Sequence, residues 1–317
     1  MEVRGEGATG CVVDAIPCYG INRKYPGRVV SKLYDKVRER DKDKLYYEQY
    51  VRLADPDGEM TVPILDSCVT RDLPARALKC RLVRGSAREE PFYPQNIMPY
   101  GGVTLDKGAK EIGRGEAFFK LVEPLFRLVQ RFDKHYQCHF DVKPGNVLYD
   151  AATKRVRVID YGMIRPQVEV YSAGGATWPK YPYYPPEIYV LTSILNGLSL
   201  YQASDNGRQQ LSSYAVYPFF SAMRELYPYE EAESDYNDFV LDLKRNSLLW
   251  PPDYVNRVDV FGAGTCMLEA WPHLKWGSAK AKSSAAAFVR TLLCANPAKR
   301  PQPAAALRAY TALVKGF

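Results

Sequence analysis

Residues 138–150, CHFDVKPGNVLYD, constrain the fold more than any other part of the chain. They place His139, Asp141, Lys143 and Asn146 within eight positions and then continue with the apolar run Val-Leu-Tyr. A solvated surface loop has no need of strand-forming residues directly after its polar ones, because such side chains favour a half-buried, pleated surface. The stretch therefore predicts a polar loop that is fixed onto a sheet.

A second strand-like segment, VRVIDYGMIR, brings Asp160 fourteen residues beyond Asn146. An acid at the end of one strand and an amide just before another can face the same point. Carboxylate and amide oxygens are ligands that Mg²⁺ accepts when phosphates complete its coordination. Asp141 would then accept a hydroxyl proton, and Lys143 would be a cation beside the transferring phosphate. As a group with this order and spacing, the four residues are a strong signal for such a site.

The length and composition limit the classes of protein that the chain can belong to. Its 317 residues predict about two domains, and 46% hydrophobic with 25% charged residues excludes disordered and fibrous classes. We find neither an apolar run long enough to span a membrane nor a secretory leader, so we expect a soluble, intracellular, cytoplasmic protein without a membrane partner. The formal charge of +7 is spread without a dense Lys/Arg block, which indicates a mildly basic surface and no specific nucleic-acid partner.

The cysteines are spread along the chain without a CxxC pair, and their number, seven, is odd. This pattern predicts reduced, mostly buried thiols and disfavours a zinc site.

The chain changes character near residue 100. GCVVDAI and RVVSKLY predict antiparallel strands, and residues 41–53 predict a helix, with a stripe at helical spacing. That stripe consists of Leu45, Tyr46, Gln49 and Leu53. A longer helical stripe follows residue 114 and consists of Phe118, Leu121, Val122, Leu125, Leu128, Val129 and Phe132. The segment MPYGGVTL suits a linker, so we expect domains at 1–100 and 101–317.

Taken together, these motifs resemble the eukaryotic-type Ser/Thr protein kinase superfamily, whose motifs occur here in the family's order over residues 139–301. HFDVKPGN resembles the catalytic loop, which implies that Asp141 is the catalytic base, Lys143 contacts phosphate and Asn146 binds metal. DYG resembles the metal-binding DFG element, which implies that Asp160 is a Mg²⁺ ligand.

Two further motifs of the resemblance concern the larger domain. YPYYPPE resembles the end of the activation segment, which implies an ion pair between Glu187 and Arg300 of NPAKRP. VDVFGAG is similar to the helix whose aspartate, here Asp259, anchors the catalytic loop. Phe140 stands where kinases that are activated by phosphorylation commonly have an arginine, so we expect it to pack against the helical lobe and the activity not to depend on activation-segment phosphate.

The N-terminal part extends the resemblance to nucleotide binding. GEGATGCV has the spacing of the kinase glycine-rich loop, with candidate residues Gly5, Gly7, Gly10 and Val12. Lys32, in VVSK, occupies the place of the phosphate-binding lysine. Glu48 is the expected ion-pair partner of Lys32 on the following helix, and Glu39 is the competing residue, which is only seven positions from Lys32. NIMPYGGVTL is similar to the adenine-binding hinge, with Met98 at the back of the pocket and Tyr100 beyond it.

The resemblance implies an α+β, bilobal kinase-like fold with a small β-rich N-lobe and a larger helical C-lobe, and with ATP and Mg²⁺ (or Mn²⁺) in the cleft. A helical insertion is expected at about 188–255. The implied reaction transfers the γ-phosphoryl group of ATP to Ser or Thr of a protein substrate. A pseudokinase scaffold and a small-molecule phosphotransferase of related fold remain alternatives. The segments IMPYGG and PYYPPE also resemble those of kinases from large DNA viruses. For such a kinase, the expected location would be the cytoplasm of the host cell.

Overall fold

The chain forms a mixed α+β protein with two compact units. The computed structural model describes residues 3–6, 10–71, 73–75, 77–80, 92–172, 183–214, 222–245 and 254–317. Unit 1 comprises Met1–Gly102 and Ile159–Gly162, and unit 2 comprises Val103–Val158 and Met163–Phe317. The expected α+β class is confirmed, because unit 1 contains an antiparallel sheet and unit 2 is largely helical. Across the described ranges, helices long and apolar enough to cross a membrane are absent.

Unit 1 is built on an antiparallel five-stranded sheet with strand order β1-β2-β3-β5-β4. The strands are β1 (Val3–Glu6), β2 (Gly10–Asp14), β3 (Val29–Tyr34), β4 (Asp66–Thr70) and β5 (Tyr93–Pro99). The two expected strands GCVVDAI and RVVSKLY pair as β2 and β3. Gly20 and Gly27 of the connecting loop have φ values of 71° and 73°, which glycine adopts at no steric cost.

One face of this sheet carries the apolar core of unit 1. Cys11 and Val13 of β2 pack there with Leu33 of β3, together with Ile16, Ala77 and Cys80. The structure joins Cys11 to Cys80 and Cys18 to Cys68 as disulfides, so the expectation that these four thiols are reduced was wrong. The pairs are 69 and 50 residues apart and are brought together by the sheet, so no local spacing announces them. The remaining cysteines, Cys138, Cys266 and Cys294, are buried and not disulfide-bonded.

The helix of unit 1 begins earlier than its sequence indicated. Helix α1 spans Val37–Tyr46, continues as a π-helical turn over Tyr47–Val51 and ends as α2 (Arg52–Ala54). The expected stripe was wrong, because Leu45 and Leu53 are about half exposed. The buried side chain of α1 is that of a charged residue, Asp43, so a search for apolar residues at helical spacing selects the wrong face.

Unit 2 consists mainly of helices. They are α3 (Leu105–Ile112), α4 (Gly115–Leu121), α5 (Glu123–Lys134), α6 (Gln167–Ser172), α7 (Pro186–Leu195), α8 (Leu200–Ser213), α9 (Met223–Leu226), α10 (Tyr229–Arg245), α11 (Arg257–Ala270), α12 (Ala279–Leu292) and α13 (Pro303–Lys315). The stripe that begins at Phe118 lies on α4 and α5 and is buried except for the partly exposed Leu121. Within the described part of 188–255, α8 begins with a capping box in which Ser199 and Gln202 satisfy each other's backbone N–H.

Short strands hold the polar loop of unit 2. The strands β6 (Val103–Thr104), β8 (Val147–Asp150) and β9 (Arg155–Val158) form one antiparallel sheet, and β7 (Gln137–Cys138) pairs with β10 (Arg165–Pro166). The loop 139–146 therefore begins after β7 and runs directly into β8. This arrangement confirms the prediction of a polar loop fixed onto a sheet.

Candidate functional site

Several of the candidate nucleotide-binding residues of unit 1 share one face of its sheet. Lys32 lies opposite Val12 on β2, and Val30 lies opposite Met98 on β5. Side chains at paired and alternate positions project from the same face, so Val12, Lys32 and Met98 lie on the face opposite the disulfide-linked core. Gly10 lies on this face too, and a Cβ there would come within 2.6 Å of the Leu33 carbonyl oxygen and 3.6 Å of the Lys32 side chain. Glycine is therefore required for the close approach of β2 to β3 beside Lys32.

Three other candidates lie elsewhere or outside the described residues. Gly5 lies in β1, where it pairs with Val12, and Gly7 lies outside the described residues. Tyr100 follows β5, where its backbone N–H donates to the Arg28 carbonyl oxygen at 2.9 Å and its ring lies 4.0 Å from the Arg28 guanidinium.

Lys32 forms its ion pair with Asp43. The Lys32 Nζ lies 2.8 Å from Asp43 Oδ2 and 3.1 Å from Asp160 Oδ1. The assignment of Glu48 as the partner was wrong, since Glu48 is half exposed and lies 3.8 Å from Lys44. The competing assignment of Glu39 was also wrong, because Asp43 forms the pair.

Asp43, which the sequence analysis did not select, lies in the first half of a helix that was expected to begin at residue 41. With that start, Asp43 would fall in the first turn, whereas the actual helix begins at Val37 and places Asp43 nearly two turns along. A short acidic side chain in a run of charged residues, RERDKDK, gives no signal of burial. Only the earlier start of the helix brings it to Lys32.

The charge of Lys32 is maintained by its carboxylate neighbours. Burial alone would lower the pKa of the Lys32 ammonium, because it penalises the charged form. The carboxylates of Asp160 and Asp43 outweigh burial and hold this pKa well above its ordinary value. Lys32 therefore presents a permanent positive charge on its face of the sheet.

Asp43 also holds the segment that contains Asp160. The backbone N–H of Tyr161 donates to Asp43 Oδ1 at 3.1 Å, and the Tyr161 hydroxyl donates to the Val62 carbonyl oxygen at 2.5 Å. Tyr161 is fully buried, whereas the side chain of Asp160 is 35% exposed and its backbone has a φ of 69°. Asp160 is thus fixed by its neighbour while its carboxylate stays accessible.

The polar loop of unit 2 brings its three expected residues together. Asp141 Oδ2 accepts from Lys143 Nζ at 3.0 Å and from Asn146 Nδ2 at 2.7 Å. Asn146 Nδ2 also donates to the Asp141 carbonyl oxygen at 3.0 Å. A 3₁₀ turn at Pro144–Asn146 returns the chain so that the amide reaches back to the acid. The loop thus combines a carboxylate, an ammonium and an amide in direct contact.

Asp259 anchors this loop, as its resemblance implied. Its carboxylate accepts from the backbone N–H groups of His139 and Phe140 at 2.6 and 2.8 Å. Burial raises the pKa of Asp259, while His139 and the two backbone hydrogen bonds oppose that rise. Phe140 has a φ of 63°, in the left-handed region that non-glycine residues seldom adopt. The two hydrogen bonds hold the backbone in this conformation directly before Asp141.

The side chain of Phe140 packs in the core of unit 2, as expected. It is 2% exposed and lies in a cluster with Tyr184, Ile188 and Val258. The Arg165 guanidinium lies 5.5 Å from its ring centroid. Independence from activation-segment phosphate stays a prediction.

The ion pair between Glu187 and Arg300 is confirmed. Both side chains are fully buried, and two guanidinium nitrogens donate to the two carboxylate oxygens at 2.5 and 3.2 Å. Arg300 also donates to the Cys294 and Arg257 carbonyl oxygens. The pair links the start of α7 to the segment that precedes α13.

The donor atoms fit a hard divalent cation. Both partners of Asn146 Nδ2 are acceptors, which assigns the nitrogen to them and directs the amide oxygen away from Asp141. An amide oxygen on Asn146 and a carboxylate on Asp160 are the ligand types that Mg²⁺ prefers. Each of these two residues, one in either unit, therefore offers an oxygen atom of a type that could bind such a cation.

Comparison of the chain with protein-family models finds no match, and comparison with curated proteins finds none either.

Proposed function

We propose that the protein is an ATP-dependent Ser/Thr protein kinase with a bilobal kinase-like fold. The observation that carries the proposal is the loop in which Lys143 and Asn146 both contact the Asp141 carboxylate while Asp259 fixes the backbone before it. Further support comes from unit 1, in which Lys32 is paired with a helical acid and contacts Asp160. The five-stranded sheet with its helix in unit 1 and the helical unit 2 agree with this fold class.

Each residue has a chemical role in the proposed reaction. Asp141 orients the acceptor hydroxyl and accepts its proton, and Lys143 places positive charge beside the moving phosphoryl group. Lys32 holds the phosphates of ATP. Asn146 and Asp160 would hold Mg²⁺, which supplies charge that stabilises the transferring phosphoryl group.

The proposed route requires little covalent chemistry from the chain itself. Phosphoryl transfer proceeds mainly through positioning and electrostatic stabilisation, so the value of the loop lies in its fixed geometry. Asn146 uses its two amide hydrogens to hold the Asp141 carboxylate and backbone, which limits rotation of the proposed base. Its remaining oxygen is available for the cation.

A stepwise assay tests the proposal. We expect MgATP to raise the thermal midpoint of the protein and radiolabelled γ-phosphate to appear on Ser or Thr of a generic protein substrate. Asp141→Asn is the matched control, because it keeps the size of the side chain and should bind MgATP without transferring phosphate.

The outcomes separate the proposal from its two rivals. Binding without transfer to any acceptor would indicate a pseudokinase scaffold. Transfer only to small hydroxylated or aminated molecules would indicate a small-molecule phosphotransferase. If the protein neither binds MgATP nor transfers phosphate, the proposal is overturned.

A further inference from the structure

A chain of hydrogen bonds, which is buried from Asn96 onward, leads to the Lys32–Asp43 ion pair. Ser67 Oγ donates to Asn96 Oδ1 at 2.6 Å, and Asn96 Nδ2 donates to the Tyr34 hydroxyl oxygen at 2.8 Å. The Tyr34 hydroxyl in turn donates to Asp43 Oδ2, the same oxygen that Lys32 contacts. Asn96, Tyr34 and Asp43 are at most 3% exposed, so water cannot substitute for these partners.

The direction of the chain is set by its chemistry. The Asp43 carboxylate can only accept a hydrogen bond, so the Tyr34 hydroxyl donates to it. The Tyr34 oxygen then accepts from the Asn96 nitrogen, and this leaves the Asn96 oxygen to accept from the Ser67 hydroxyl. Burial raises the pKa of the Tyr34 hydroxyl well above its ordinary value. The charge of Lys32 opposes this rise and Asp43 reinforces it, so the hydroxyl stays protonated. All donors therefore point the same way and end on one carboxylate, an arrangement that strengthens each bond.

The strand register places these residues beside Lys32. Tyr34 is two positions after Lys32 on β3, and Asn96 of β5 lies opposite Lys32, so the three side chains share a face. The Lys32 ammonium also lies 5.2 Å from the centroid of the Tyr34 ring. Tyr34 thus contacts both members of the ion pair, one through its hydroxyl and the other through its ring.

We propose that Tyr34 and Asn96 are positioning residues that hold the Asp43 carboxylate so that one oxygen faces Lys32 and the other faces the backbone N–H of Tyr161. With the Tyr34 hydroxyl on Oδ2 and the Tyr161 amide on Oδ1, the carboxylate cannot rotate without losing a buried donor. The chain of hydrogen bonds thereby positions the Lys32 ammonium to contact the phosphates of ATP. It also fixes the backbone that follows Asp160. The catalytic consequence depends on the proposed kinase function.

Tyr34→Phe and a matched tyrosine substitution test this assignment. Tyr25 donates to Asp66 Oδ2 at 2.9 Å, and Asp66 is paired with Arg23 at 2.8 Å. Tyr25→Phe therefore removes a tyrosine–carboxylate hydrogen bond beside an ion pair in the same unit. Asp66 lies opposite Ile97, so this bond is on the other face of the sheet from Lys32 and Asn96. We expect Tyr34→Phe to lower kcat about tenfold and to change the Kd for MgATP by less than about threefold, because a buried bond to a charged group is lost without removing a ligand contact. Tyr25→Phe should change neither value more than about twofold.

A second variant reverses the polarity of the chain. In Asn96→Asp, a carboxylate would accept the Tyr34 hydrogen and draw it from Asp43 at nearly constant side-chain volume. We expect the loss in kcat to equal that of Tyr34→Phe and the double variant to show no further loss, because both changes remove the same bond. Independent, multiplying losses in the double variant would overturn the proposal, and Tyr34→Phe decides the matter if Asn96→Asp does not fold.

Amide hydrogen exchange gives a measurement that needs no activity. Tyr34→Phe should speed exchange at the Tyr161 amide by about tenfold while the strand amide of Leu33 keeps its protection, since the carboxylate that holds the Tyr161 N–H becomes free to rotate. Equal acceleration at both amides would show that Tyr34 only supports the fold and would overturn the positioning role. A wild-type protein that neither binds MgATP nor transfers phosphate would overturn the kinase proposal, and the exchange measurement would then decide the positioning of Asp43 by itself.

Discussion

Asp160 combines an accessible carboxylate with a backbone that is fixed by its neighbour. Its side chain contacts the Lys32 ammonium, and the next residue donates its N–H to Asp43. A ligand for a divalent cation needs this combination, because a metal site loses affinity when its donors must first be ordered. The role of Asp160 can therefore be tested by removing its charge alone.

Asp160→Asn should lower the rate of phosphoryl transfer by at least roughly a hundredfold, because the amide binds Mg²⁺ more weakly and the cation's charge is lost from the reacting phosphate. Initial rates at saturating MgATP measure the effect. Asp57→Asn, an exposed substitution in the same unit, is the control and should retain activity. Full activity of Asp160→Asn would contradict its assignment as a metal ligand.

Asp141→Asn should separate turnover from binding. We expect the rate to fall by roughly two to four orders of magnitude while MgATP binding stays nearly unchanged, because the carboxylate orients the hydroxyl and accepts its proton. Lys32→Met should instead impair the positioning of phosphate. Isothermal calorimetry and single-turnover rates measure both, and an equal loss of nucleotide affinity in the two variants would refute separate roles.

Glu269 should make stability depend on pH near neutrality. Burial, and then the charge of Asp106, raise the pKa of its carboxyl to about 7, although the Tyr183 hydroxyl opposes the rise. Between its unfolded and folded pKa values the native state binds the extra proton, so the free energy of unfolding falls as pH rises through about 4.5 to 7.

Urea unfolding at several pH values across that window measures this dependence. Glu269→Gln cannot titrate and should show a flatter profile than the wild type. Identical slopes for the two proteins would mean that Glu269 has an ordinary pKa.

At the residue scale, the sequence was informative where a motif fixes both type and spacing. Asp141, Lys143 and Asn146 are five positions apart at most, so their contact follows from a single turn of chain. Asp43 was missed because its role depends on where a helix starts and on a sheet register that joins residues more than sixty positions apart, such as Tyr34 and Asn96. A local sequence pattern does not predict contacts between residues that are so far apart in the sequence.

A buried ion pair joins two segments of unit 2 that are far apart in the sequence. The bidentate pair of Glu187 and Arg300 lies between the first turn of α7 and the chain before α13, and both side chains are inaccessible to water. Breaking such a pair leaves one charge buried without compensation, which costs far more than the pair itself contributes. The contact therefore stabilises the connection between α7 and the segment before α13.

Glu187→Gln should lower the free energy of unfolding by ~3–5 kcal/mol, because Arg300 would keep its charge in a dry site. Chemical denaturation monitored by tryptophan fluorescence measures the change. Glu231→Gln, which breaks the exposed pair with Arg290, is the matched control and should cost less than ~1 kcal/mol. Equal losses would argue against a structural role for the buried pair.

At the element scale, apolar periodicity located helices α4 and α5 of unit 2 but misplaced the helix of unit 1. The stripe from Phe118 to Phe132 is buried because α4 and α5 pack on other helices through apolar side chains. Helix α1 instead directs a carboxylate toward a lysine, so its burial leaves no apolar signature. Hydrophobic patterning predicts an element only where hydrophobic burial determines its position.

At the scale of the whole molecule, covalent links are confined to the N-terminal part of the sequence. Two disulfides close loops in unit 1, and the three other cysteines lie in unit 2. An odd number of widely spaced cysteines gave no indication of this division, since pairing depends on the sheet that brings the strands together. The units are therefore expected to respond differently to reducing agents.

Alkylation tests the pairing directly. The denatured but unreduced protein should take up alkyl groups at Cys138, Cys266 and Cys294 only, and the reduced protein should take them up at all seven cysteines. Intact mass spectrometry counts the additions. Reduction should also destabilise unit 1 by ~2–4 kcal/mol for each disulfide, because the unfolded chain gains freedom. Seven additions without reductant would restore the expectation of free thiols.

Ile159–Gly162 belongs to unit 1 although the chain on both sides belongs to unit 2. A gene truncated after Gly102 would therefore encode a polypeptide without Asp160 and Tyr161, and Asp43 would lose the amide that donates to its Oδ1. Transfer of this unit into another protein therefore requires two separate segments, Met1–Gly102 and Ile159–Gly162.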